Sequence, residues 1–185
     1  MKDHLQHIKV LHESLKKRRD YFKQNFPKKS LNQIHLKSFE KIHQIQLPKG
    51  YREFLLTFGD EAILPYVIGK KALSLKDTVK NEIWKSFEGP LKKPFKYNGN
   101  KPIAMDWAEE KDDYVDLRPL RGTLCLGSGG CDIIWLLVIN GKEAGKVWQF
   151  IPGAEQELNP TRLTFLNWCI KGLKKVLMEL DSSKK

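Results

Sequence analysis

The groups able to do chemistry in this chain are three cysteines, five histidines, a run of carboxylates and a glycine-rich loop. Cys131 and Asp132 directly follow Gly127-Ser128-Gly129-Gly130. A nucleophilic cysteine needs a lowered thiol pKa and a base beside it. All five histidines (His4, His7, His12, His35, His43) lie far upstream, so Cys131 is read as a small buried residue at the start of a strand. The glycines suggest a phosphate cradle, but such a loop opens a helix and carries Gly-Lys-Ser/Thr. Here they lead into an apolar strand, and the reading is a turn requiring positive φ or close backbone approach.

His4, His7 and His12 could present a metal pair on one helix, yet no H-E-x-x-H motif accompanies them. They are read as solvated histidines at an exposed terminus. The acidic run Asp106, Glu109, Glu110, Asp112, Asp113 and Asp116 lacks EF-hand spacing and a glycine at the bend. It reads as a solvated loop, with a docking patch as the main alternative. Cys125, Cys131 and Cys169 form an odd set without a C-x-x-C pair, so neither a disulfide framework nor a zinc knuckle is expected. No catalytic residue, metal or cofactor is predicted.

The elements that hold these residues follow from periodicity. Leu5, Ile8, Leu11, Leu15, Phe22 and Phe26 recur at helical spacing, which predicts a basic amphipathic helix over about residues 4–25, stopped by Pro27 and packed on the domain. Ser30 is the expected N-cap of a second helix through Ile34, Phe39 and Ile42. Pro48 starts a third, burying Tyr51, Phe54, Leu55 and Phe58, with Gly59 just past its end. A short strand is expected around residues 66–68, and Ser74 is placed as the cap of a helix over 75–87. Residues 89–121 read as loop, on the signals Gly89-Pro90, Lys93-Pro94, Asn98-Gly99 and Lys101-Pro102. A meander follows: strands at 123–126, 133–139 and 146–151, with 127–130 as a turn. The run 133–139 has no polar alternation and predicts a central strand covered on both faces. From Thr161, the spacing of Leu163, Leu166, Ile170, Leu173, Val176, Leu177 and Leu180 predicts a long amphipathic C-terminal helix. The class is α+β.

Composition limits the function. In 185 residues, nine Phe, five Trp and five Tyr supply a core without staples and exclude global disorder. The longest apolar run has seven residues against about 20 for a spanning helix, so no membrane span is expected. The N-terminus lacks the apolar segment of a signal peptide, which predicts a cytoplasmic protein. Net charge is +11, of which residues 1–60 carry +7. A basic stripe is the footprint of a nucleic-acid or anionic-surface binder. Lys outnumbers Arg 27 to 6, however, and base-edge and phosphate forks favour Arg.

The segment from Gly122 to Trp148 resembles the SUKH superfamily, the Smi/Knr-like domains. The resemblance is carried by Gly122, Leu124, Gly130-Cys131, Leu136-Leu137-Val138, Gly141, Gly145 and Val147-Trp148. It is joined by a terminal helix with Phe165, Trp168 and Leu173, and upstream by Leu47-Pro48-x-x-Tyr51-x-x-Phe54-Leu55. Together these cover about residues 31–180, leaving residues 1–30 as a basic helical extension. The resemblance implies a curved, mostly antiparallel sheet flanked by N-terminal helices and a long C-terminal helix. It also implies a non-enzymatic module, of the kind that in many bacterial members binds and neutralises a toxin's catalytic domain. The expected partner is thus a protein, with a Lys-rich nucleic-acid-associated protein as the alternative. The expected contact residues are Asp106, Trp107, Glu109, Glu110, Asp112, Asp113, Tyr114, Gly129, Asp132 and Trp135.

Overall fold

The computed structural model describes residues 1–17, 31–59, 62–67, 75, 91–104, 118–131, 133–152 and 157–182. Within them run helices α1 (Lys2–Lys16), α2 (Gln33–His43) and α3 (Lys49–Phe58), then strand β1 (Ile103–Ala104). After a short 3-10 turn come β2 (Thr123–Gly130), β3 (Ile133–Val138), β4 (Lys146–Ile151), β5 (Glu157–Thr164) and helix α4 (Phe165–Ser182). The strands form one open antiparallel sheet in the order β1-β5-β4-β3-β2. The protein is α+β.

Helix α4 is the hub, because it packs against α1, α3 and the β4–β5 side of the sheet. Its inner face buries Phe165, Trp168, Cys169 and Leu173. Phe165 meets Tyr51 and Phe54 of α3 edge-on, with ring centroids 4.9 and 5.0 Å apart. Such aromatic pairs add about 0.5–1.5 kcal/mol beyond their area burial. The stripe Ile8, Leu11 and Leu15 of α1 is buried in the same core, as the spacing predicts. The continuation of this helix over residues 18–25 lies outside the described residues, as do Ser30 and Ser74. Of the helix expected over 75–87, Leu75 alone is described, helical and buried.

Several local expectations are corrected. Helix α2 is capped by Asn32, whose side chain accepts from the His35 N–H at 2.9 Å. Its buried side is Leu36 with half-buried Phe39, while Ile34 and Ile42 are 72% and 73% exposed. The four residues 127–130 are strand, not turn. Small residues let β2 continue as two bulges, with register shifts at Cys125/Gly127 and Ser128/Gly130. Gly127 is required there, since a Cβ would stand 2.5 Å from the Val67 Cγ1. Residues 161–164 belong to β5 rather than the helix: the Thr161 hydroxyl donates to the Val147 carbonyl, which ties this segment to β4. Finally, the expected loop 89–121 contains β1, paired as Ile103↔Leu158.

The run 133–139 behaves in two halves. Leu136, Leu137, Val138 and Ile139 are buried, while Ile133, Ile134 and Trp135 are partly exposed. Strand β3 lies second from the sheet edge, with β2 outside it. Residue 66, expected in a strand, sits in a turn at φ 62, and the neighbouring bridge is at Ile63. Ile68 lies outside the described residues.

Candidate functional site

The two expected contact residues that the structure describes, Gly129 and Trp135, meet at the far end of the β2–β3 pair. A Cβ on Gly129 would lie 2.6 Å from the Trp135 indole nitrogen, so the glycine admits the ring. That nitrogen donates to the Tyr66 carbonyl at 2.8 Å. Trp135, Tyr66 and Trp168 pack mutually, with centroids 5.4 to 5.7 Å apart. Burial, then the Glu179 carboxylate, raises the pKa of the Tyr66 phenol. Trp135 therefore joins β3, the residue 66 turn and α4, and only part of its surface faces solvent. Beside it Ser128 and Cys131 are exposed, and Ile133 and Ile134 are partly so. The result is a small, mixed and partly exposed surface among the described residues. Asp106, Trp107, Glu109, Glu110, Asp112, Asp113, Tyr114 and Asp132 lie outside the described residues.

The thiols divide by environment. Burial pushes Cys125 up to about 11, and Cys169, fully buried, is also raised well above a free thiol. Both are packing residues at neutral pH. Cys131, expected to be buried, is exposed just past the end of β2, where it holds a left-handed backbone (φ 44).

Among the histidines, His12 departs from the expectation of a solvated side chain. It is buried between α1 and the residue 62–67 segment, with its Nε2 3.1 Å from the Ile63 carbonyl and its ring edge-on to Phe58. Burial depresses its pKa to about 4, so it is neutral near pH 7. The sequence signal was its place on the apolar stripe beside Leu11 and Leu15. No group of three or more His, Cys, Asp or Glu among the described residues is placed to hold a metal.

Elsewhere the surface has an open groove of about 1000 Å³ where α2 leads into α3 beside residues 139–144. A second hollow, of about 510 Å³, lies between the starts of α3 and α4. Sequence reasoning missed the groove, because its two walls are joined only by tertiary contacts.

An open antiparallel sheet with a helical hub defines an α+β domain. A model of the SMI1 / KNR4 family (SUKH-1) matches residues 30–168, and the chain belongs to that family. No curated protein matches the chain, and no solved structure matches it. Among the described residues, no helix is long and apolar enough to cross a membrane.

Proposed function

We propose that this chain is a non-enzymatic, cytoplasmic protein-binding module, an immunity protein that binds and neutralises the catalytic domain of a cognate toxin. Membership of the SMI1 / KNR4 family over residues 30–168 is the observation that carries this reading. The surface around Trp135 supports it, since Gly129 and Trp135 sit beside partly exposed Ile133 and Ile134 on the paired strands β2 and β3. A partly exposed aromatic held by its neighbours suits an interface anchor, because little side-chain freedom is lost on binding. The carboxylates and aromatics over residues 106–114, with Asp132, complete the proposed contact set. The extension over residues 1–30 is proposed to add basic surface to the domain that follows it.

A charge of +11 suits an acidic face on the toxin, where opposite charge raises the association rate. The test is an affinity pull-down of the tagged chain from its native lysate, washed with nuclease and about 0.3 M salt, which screens exposed charges beyond a few ångströms. One stoichiometric protein partner, retained through both washes and inhibited in its own activity by the chain, supports the reading. Recovery of nucleic acid alone, lost on washing, overturns it.

A further inference from the structure

We infer that the groove between α2 and α3 is a docking site for an acidic protein segment carrying aliphatic side chains. This rests on the protein-binding reading and assigns it a second contact surface, away from Trp135. Apolar groups, Ile45, Leu47, Ile139 and Ala144, line part of its floor, among the polar Gln44, Gln46 and Asn140. Three exposed ammonium groups, from Lys37, Lys41 and Lys49, stand on its rim. None of the three lies within ion-pair distance of a carboxylate among the described residues.

One of the lining carboxylates, Glu40, is already engaged. Glu40 accepts from the Leu47 N–H at 3.0 Å and pairs with Arg52 at 3.4 Å, stapling α2 to α3 and fixing the groove's width. The site is therefore formed before a partner arrives, which lowers the ordering cost of binding. Ile34, Lys37, Ser38, Lys41 and Ile42 share the outer face of α2, by their spacing of three, four, seven and eight. That face continues the rim with two aliphatic side chains more than two-thirds exposed. An occupant matching this surface places carboxylates against the lysines and aliphatic groups on the floor. A nucleic acid fits less well. The floor offers no aromatic platform for bases.

The experiment pans a random peptide display library against the immobilised chain, then measures one selected peptide by fluorescence anisotropy. The proteins compared are the wild type, the double variant Lys37→Glu/Lys41→Glu and the control Lys171→Glu/Lys174→Glu, whose exposed lysines lie on α4. The expected consensus mixes acidic and aliphatic residues. The groove variant should weaken binding by about tenfold or more and the control by less than about twofold. A neutral or basic consensus, or equal losses in both variants, overturns the assignment. So does a mixed-sequence oligonucleotide of about 20 nucleotides that displaces the peptide from the same lysines. A pull-down partner that binds the groove variant unchanged also overturns it, while leaving the protein-binding reading intact. An empty pull-down removes that reading instead, without altering what the selected peptides report.

Discussion

The Trp135 indole N–H donates to the Tyr66 carbonyl at 2.8 Å, joining β3 to a turn 69 positions earlier in the chain. Tyr66 holds positive φ, a backbone that a non-glycine residue keeps only under external support. The hydrogen bond and the ring contacts with Trp135 and Trp168 provide that support. Replacing Trp135 by Phe keeps most of the ring area and removes the donor, leaving the carbonyl to find another partner. The expected loss is about 1–2 kcal/mol in urea unfolding, with the m-value unchanged. Stability equal to wild type would show that the bond contributes nothing.

Gly172 reverses the usual rule for helices. Gly→Ala inside a helix ordinarily stabilises by about 0.5–1 kcal/mol. Here a Cβ would stand 2.2 Å from the Pro65 Cβ and 2.5 Å from the Tyr66 Cε2, so α4 would have to move off the turn. Gly172→Ala is expected to destabilise by about 1–3 kcal/mol and to lower the thermal midpoint by several degrees. A raised midpoint would contradict the close approach.

His12 makes stability fall in acid. Its pKa is lowered from 6.5 to about 4 in the folded chain, chiefly by burial, with the Lys16 charge adding to the effect. Its neutral form therefore contributes fully above about pH 6.5. Between pH 6.5 and 4 the unfolded chain binds a proton that the folded chain refuses, so stability declines as pH falls. The decline from this residue stops near pH 4 and totals about 3 kcal/mol. His12→Gln is expected to flatten that part of the urea-midpoint profile against pH. A parallel profile in the variant would assign the acid loss to other groups.

The first helix is expected to be integral to the fold's stability. Leu15 is fully buried against the core shared with α4, so Leu15→Ala should cost about 2–5 kcal/mol, as a central core leucine does. Denaturation followed by tryptophan fluorescence checks it. A loss below about 0.5 kcal/mol would mean that α1 behaves as a detachable appendage.

Legibility of the sequence tracked the length of each periodic run. The stripe Ile8–Leu11–Leu15 and the segment from Tyr51 to Leu55 gave their helices and buried faces directly. So did the strands around Leu137 and Trp148. Short elements were opaque: Ile103 and Ala104 form a strand only because Leu158 and Glu157 lie opposite, which no local pattern encodes. Leu163 fitted a helical stripe and a strand equally well, and the bond from Thr161 to β4 decides it. The glycines of β2 were misread because bulged strands and turns ask for the same residues. Gly129 and Trp135 were legible as candidate contact residues, but not as partners across two paired strands. The Tyr66 contact was not, since nothing in residues 60–68 announces a partner 69 positions on. The α2–α3 groove depends on the Glu40–Arg52 pair, which likewise is visible only after folding.

The bulges of β2 also bear on how this protein tolerates crowding by its own copies. Among the described strands, β2 closes one side of the sheet, the position from which fibril-like stacking begins. An incoming strand needs an even ladder of donors and acceptors. The two register shifts, at Cys125/Gly127 and Ser128/Gly130, break that ladder at two points within eight residues. The glycines that let Val67 and Trp135 pack so closely thereby also make this margin a poor template for a second chain.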